Sequence, residues 1–257
     1  MTIFRVGSLA MISAAIAAAV LVSDNARAQQ HAGPHWTYNG KDGPDHWGEL
    51  DKAFSICQAG HHQSPIDIRG AKPGNLPPIQ FSYRPSPLHI INNGHTIQIN
   101  YASGSFISVG GTQYQLTQFH FHHPSEERVN GKGFEMVAHL VHANTEGALA
   151  VVAVLLDPGT ANSVLTRIWQ HLPAKEGPEQ MLDDVQIDAA GLLPPDRAYY
   201  TFTGSLTTPP CTEDVTWFVL KTPATISKTQ ADAFGKIYPR DARPLQPLYG
   251  REVLVSN

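Results

Sequence analysis

Charge is scarce in this chain. Asp, Glu, Lys and Arg make up 16% of its 257 residues, and Lys and Arg never gather into a block. The basic stripe that holds nucleic acid or an anionic membrane surface is missing, so neither is an expected partner. Repeats of fixed period and low-complexity stretches are also absent, which excludes solenoids and extended tails. Pro (20) and Gly (21) are scattered rather than gathered at one point, so no linker divides the chain. After residue 22 no apolar run is long enough to cross a bilayer.

Residues 1–28 have the features of an export signal. Arg5 lies in a short basic start, residues 6–22 form an Ala-rich apolar run, and Ala26-Arg27-Ala28 is a small-residue cleavage pattern. A membrane anchor is the alternative, but the run is short for a bilayer and a cleavage pattern follows it. Cleavage after Ala28 leaves residues 29–257 as the mature chain, periplasmic or secreted. Losing Arg5, Arg27 and Asp24 takes the formal charge of −4 one unit lower.

Cysteine is the scarcest polar resource: only Cys57 and Cys211, 154 positions apart. In an exported chain they can form one disulfide, worth about 4–5 kcal/mol by loop entropy. A pair of zinc thiolates is the rival reading. It needs the two sulfurs together with further ligands, and their isolation in sequence speaks against it.

What is present is apolar: 42% of the chain, enough for one sizeable core. Short runs rich in β-branched and aromatic residues dominate. Residues 88–91 and 96–101 flank Asn92-Asn93-Gly94-His95, and residues 106–109 and 113–121 flank Gly110-Gly111; both are hairpin signals. Residues 134–142, 148–156 and 214–220 read as further strands. Helical patterns are few: 161–171, ended by Pro173, and 227–237, with Ser227 as N-cap and Pro239 beyond. Residues 29–60, with His35, Trp36, Tyr38, His46 and Trp47, read as an irregular segment draped over the core. The sum predicts a mainly β fold with peripheral helices on a large, mostly antiparallel sheet.

The run Gln118-Phe-His-Phe-His122 alternates across a strand. Gln118, His120 and His122 share one face, and Phe119 and Phe121 take the other. Two residues along a strand span about 6.6 Å, a gap two imidazoles can close onto one ion. A second strand offers His139, with Val137 and Val141 on its face. One His-x-His pair is weak evidence, and histidines bonded to core neighbours are the plainer reading. Three imidazoles from two strands are stronger evidence, because they leave a fourth tetrahedral position of zinc free for water. Gln118 lies where it can orient one ring from behind.

Several segments then occur in one order: Gly43-Pro-Asp-His-Trp47, Gln63-Ser-Pro-Ile-Asp67, Asn92-Asn-Gly-His95, Gln118-Phe-His-Phe-His122 with Ser125-Glu126, Ala138-His-Leu-Val-His142, Gly204-Ser-Leu-Thr-Thr-Pro-Pro210 and Arg243-Pro-Leu-Gln-Pro247. By these segments, which cover nearly all of residues 29–257, the chain resembles the alpha-class carbonic anhydrases. The resemblance implies a central ten-stranded, mostly antiparallel twisted sheet with zinc at the base of a conical cleft. It implies reversible hydration of carbon dioxide to bicarbonate and a proton, with zinc on His120, His122 and His139. An apolar wall of Val141, Val151, Leu206 and Trp217 would receive carbon dioxide, with Thr207 and Thr208 beside it. Thr207 would accept a hydrogen bond from the nucleophile and donate one to Glu126. His95 would shuttle the proton, with Asn93 and Tyr38 along its path. Without the resemblance, Thr207 and Thr208 read as a turn, Glu126 as a solvated charge and His95 as an exposed turn residue. Exported bacterial relatives are often dimers, so a homodimer is a further expectation.

Departures from the family pattern cluster at one place. A Glu usual two residues before the third ligand is Val137 here, a nearby His is Glu127, and a nearby Tyr is Phe202. The expectation is that Glu127 accepts the hydrogen bond from His139 while Val137 and Phe202 fill the space with apolar atoms. The plainer alternative is Glu127 as a surface charge. His123 stands where a Trp is common, and it faces away from His122, so it is not counted as a ligand.

Overall fold

Alternation of apolar and polar residues builds the frame. In the computed structural model, which describes residues 34–256, strand Ser86–Asn92 buries every second side chain, and Ile97–Asn100 repeats the pattern. The two form a hairpin around Gly94, whose φ of +85° suits a residue without Cβ. Gly110 and Gly111, both at positive φ, turn Phe106–Val109 into Thr112–His122. The export signal expected over residues 1–28 lies outside the described residues.

Ten strands follow one another across the main sheet. Their order is Gln180–Ile187, Ser86–Asn92, Ile97–Asn100, Thr112–His122, Met136–Ala143, Leu149–Pro158, Val215–Leu220, Tyr199–Gly204, Leu254–Val255 and Lys72–Pro73. Three short strands, Gln80–Ser82, Phe106–Val109 and Ala224–Ile226, attach beside this path. Most neighbours are antiparallel, but Leu149–Pro158 runs parallel to Val215–Leu220.

The sheet separates two cores. On one face Phe119, Phe121, Leu140 and Val152 pack with Leu165, Ile168 and Phe234 from two helices. These helices are Ser163–Trp169, capped by Asn162, and Lys228–Gly235, where Ser227 and Gln230 close a capping box. The first is shorter than its sequence pattern, because Asn162 captures the amides of Val164 and Leu165 and fixes the start. On the other face Val137, Val141, Val151, Phe202 and Trp217 form a second core. The early segment, expected to be irregular, carries four short helical turns, Gly40–Asp42, Trp47–Leu50, Lys52–Phe54 and Ile56–Ala59. Trp36, Trp47, Phe54, Cys57 and Cys211 make a third, small cluster there, with Cys57 and Cys211 joined as a disulfide.

Candidate metal centre

His120 and His122 come from one strand and His139 from its antiparallel neighbour. The register sets His120 opposite His139 and His122 opposite Val137. Their rings converge, with centroids 5.0 Å (His120–His122), 4.8 Å (His122–His139) and 5.5 Å (His120–His139) apart. One nitrogen from each lies within 4.8 Å of the other two.

The back of each ring is held. His120 Nδ1 is 2.9 Å from Gln118 Oε1, His122 Nδ1 is 2.7 Å from the Asp241 carbonyl, and His139 Nε2 is 2.9 Å from Glu127 Oε1. All three partners are oxygen acceptors, so each of these nitrogens carries the proton. The inward nitrogens, Nε2 of His120, Nε2 of His122 and Nδ1 of His139, therefore present lone pairs to one another. Burial, joined by the neighbouring His139 ring, lowers the pKa of His120 to about 3. The same causes hold His122 well below its ordinary value.

This donor set fits a divalent cation. His122 Nε2 is buried with no hydrogen-bond partner, an arrangement that costs free energy unless something accepts its lone pair. Three imidazole nitrogens from two strands, converging within 4.8 Å, match the donor set of catalytic zinc.

Glu126, 3% exposed, faces the same space. Its Oε1 accepts the Arg243 amide at 2.8 Å, and its Oε2 lies 3.5 Å from His122 Nε2 and 3.8 Å from His139 Nδ1. Burial and the adjacent Glu127 raise its pKa, while the Arg243 amide and the Thr207 hydroxyl oppose the rise. Oε2 itself makes no hydrogen bond of standard geometry, so Thr207 stands close to the carboxylate without fully engaging it. Thr207 is buried on the loop after Tyr199–Gly204. That loop closes on itself through Leu206 N to Thr212 O and Cys211 N to Thr208 O.

Beside the imidazoles the surface turns apolar. Val141, Val151 and Trp217 sit in one cross-strand row, and Leu206 packs against them. The Trp217 ring meets His139 edge-on at 4.9 Å. The expected shuttle residue His95 sits on the turn after Asn92. Asn93 Oδ1 accepts the amides of His95 and Thr96, and Asn93 Nδ2 reaches Gln98, whose strand position faces His120. The His95 ring lies flat on buried Trp36, with centroids 3.6 Å apart. Tyr38 packs edge-on against Trp36 and Trp47, and burial followed by the charges of Glu126 and Asp241 raises its pKa.

Glu127 is 0% exposed rather than a surface charge, and Val137 and Phe202 are both buried in the apolar core beside it. His123 points away, its Nδ1 on the Pro239 carbonyl at 3.1 Å and its Nε2 3.7 Å from Glu135. Two contributors escaped the sequence reading. The Asp241 carbonyl carries no side-chain signal at all. Arg243, visible only within a motif, hydrogen-bonds Gln63, Ser64 and Cys57 from a buried position.

The profile of the eukaryotic-type carbonic anhydrase family matches residues 42–257. A carbonic anhydrase from Nostoc sp. is 43% identical over 225 residues, covering 86% of this chain and 85% of the relative. One from Klebsiella pneumoniae is 46% identical over 224 residues, covering 86% and 90%. A solved structure of the alpha-carbonic anhydrase from Thermovibrio ammonificans, with the inhibitor sulfanilamide, superposes with a TM-score of 0.84. It is 40% identical, covering 86% of this chain and 99% of that one. The chain belongs to the alpha-class carbonic anhydrase family. It is an enzyme of that family, and membership implies reversible hydration of carbon dioxide.

Proposed function

We propose that this chain hydrates carbon dioxide with zinc held by Nε2 of His120, Nε2 of His122 and Nδ1 of His139. The observation that carries the proposal is the set of three outward hydrogen bonds, which aims three lone pairs at one point. Zinc bound there supplies a Lewis acid that lets a water ionise near neutral pH, the established property of carbonic anhydrases.

The chain's own residues do the rest. Val141, Val151, Leu206 and Trp217 offer an apolar wall to an uncharged, linear substrate, so carbon dioxide rests there without displacing hydrogen-bonded groups. Thr207 accepts a hydrogen bond from the attacking oxygen and donates its own proton toward Glu126, which turns the oxygen's lone pair toward carbon. Thr208, immediately before Pro209-Pro210, lines the substrate pocket beside Thr207, and its carbonyl accepts the Cys211 amide that helps close their loop. Each turnover also releases a proton. His95 takes it up on the route marked by Tyr38 and Asn93 and hands it to bulk water, a task suited to an imidazole.

Export to the periplasm or exterior fits the disulfide, since such bonds persist in oxidising compartments. No helix of the described residues is long and apolar enough to cross a membrane. Zinc content and stopped-flow hydration of the mature chain, before and after chelation, test the reading together. One zinc per chain, activity lost on chelation and regained on adding zinc is the expected result. A chain that holds zinc stoichiometrically yet hydrates no faster than buffer would refute it.

A further inference from the structure

We propose that Glu127 is the positioning residue for His139, and that the loop between the two ligand strands thereby sets how tightly this chain holds zinc. The proposal rests on the zinc reading of the site.

The His139 ring is enclosed on its apolar sides. Trp217 meets it edge-on at 4.9 Å, Phe202 stacks parallel on Trp217, and Val137 lies two residues earlier on the same strand face. None of these can accept a hydrogen bond from Nε2. Glu127 Oε1 does, at 2.9 Å, with Glu127 0% and His139 1% exposed. A carboxylate behind an imidazole fixes which nitrogen is protonated, locks the ring's rotation and raises the basicity of the nitrogen that faces the metal.

Glu127 is itself anchored at both ends. Ser125 Oγ donates to the Glu127 carbonyl at 3.0 Å and accepts the Phe134 amide at 2.9 Å. The next residues, Arg128–Val129, pair in parallel with Asp67–Ile68. The loop thus docks on an element remote from both ligand strands, and its docking is transmitted to His139 through one side chain. The neighbouring Glu126 takes the opposite side of the ring, near Nδ1, so two consecutive carboxylates divide the back and the front of one ligand.

The test measures zinc affinity on the mature chain by competition with a chromophoric chelator, with the zinc release rate and the visible spectrum of the cobalt-loaded chain as companion readouts. Glu127→Ala is expected to weaken zinc binding about 10–100-fold and to alter the cobalt spectrum. Glu127→Gln, which keeps an acceptor oxygen, should fall between this variant and the parent, and Ser125→Ala should shift affinity in the same direction by less. Adding Val137→Glu to Glu127→Ala offers the ring a carboxylate from the strand instead, and should recover affinity at least several-fold. A purely structural role for Glu127 would lower the melting temperature of the zinc-free chain while leaving affinity and spectrum alone, and that result overturns the assignment. Should Glu127→Ala fail to fold, unchanged affinity in Glu127→Gln overturns it equally. A parent chain that binds no zinc would instead sink the site reading itself.

Discussion

Replacing both cysteines, Cys57→Ala with Cys211→Ala, separates two roles of the disulfide. The bond spans 154 residues, and closing a loop of that length removes about 5 kcal/mol of chain entropy from the unfolded state. Domains of this kind have total stabilities of about 5–15 kcal/mol, so the loss takes a large share. The folded side should lose less. The loop bearing Thr207 keeps its own bonds, Leu206 N to Thr212 O at 2.9 Å and Cys211 N to Thr208 O at 2.8 Å. Arg243 still reaches the Cys57 carbonyl, and Gln63 the Cys211 carbonyl, because backbone oxygens survive the substitution. Urea unfolding of the zinc-loaded variant, followed by tryptophan fluorescence, should give a stability lower by about 5 kcal/mol. Hydration assayed well below the transition should stay within a few-fold of the parent. A stability loss under about 1 kcal/mol would refute the entropic reasoning. A folded variant with activity down by about 10²-fold would show that the disulfide itself holds Thr207 in place.

Three further outcomes follow from the geometry. Thr207→Ala should retain zinc but lose about 10²-fold in kcat/KM, while Thr207→Ser keeps most activity; equal losses in both would exclude the hydroxyl. His95→Ala should lower kcat by about 10²-fold in dilute buffer, recover with added imidazole, and leave kcat/KM for carbon dioxide unchanged; a fall in kcat/KM instead would remove His95 from the proton route. Burial lowers the His142 pKa from its ordinary 6.5 to about 3. Between those values the unfolded chain binds a proton that the folded chain refuses. The contribution is therefore complete above about pH 6.5 and is lost toward pH 3 at about 1.4 kcal/mol per pH unit. His142→Phe should flatten the acid slope of stability by one proton. It should also impose a pH-independent cost of about 1–3 kcal/mol for the stranded Tyr83 hydroxyl, which now sits 2.8 Å from His142 Nε2. An unchanged slope would contradict the assignment.

Features set by neighbours in the chain were legible in the sequence. Period-two alternation placed Gln118, His120 and His122 on one face and Phe119 and Phe121 in the opposite core, because a strand alone determines that geometry. Asn-Gly and Gly-Gly marked both hairpins, and Ser227 marked a helix start, because backbone dihedrals and caps are local matters. Register was not legible. Nothing in 112–122 or 136–143 alone says that His120 will face His139 rather than Val137, and a slip of one residue would send His139 to the far face of the sheet. The flat stack of His95 on Trp36 joins residues whose segments are linked only by the tertiary fold, so it left no trace in either.

The least legible element is the support of His122, and the reason is general. Every residue has a carbonyl, so sequence carries no mark for the one that will meet an imidazole. Here the choice falls on Asp241 through contacts on either side of it. The Asp241 carboxylate takes the His123 amide at 2.7 Å, and the Glu126 carboxylate takes the Arg243 amide at 2.8 Å. These bonds pin the segment 241–243 against the end of the His122 strand and leave the Asp241 carbonyl 2.7 Å from Nδ1. A substitution at the Asp241 side chain would therefore act on His122 through the backbone it holds in place. Side-chain chemistry is what a sequence spells out; which backbone atom that chemistry brings to the site is decided only when the distant segments have packed.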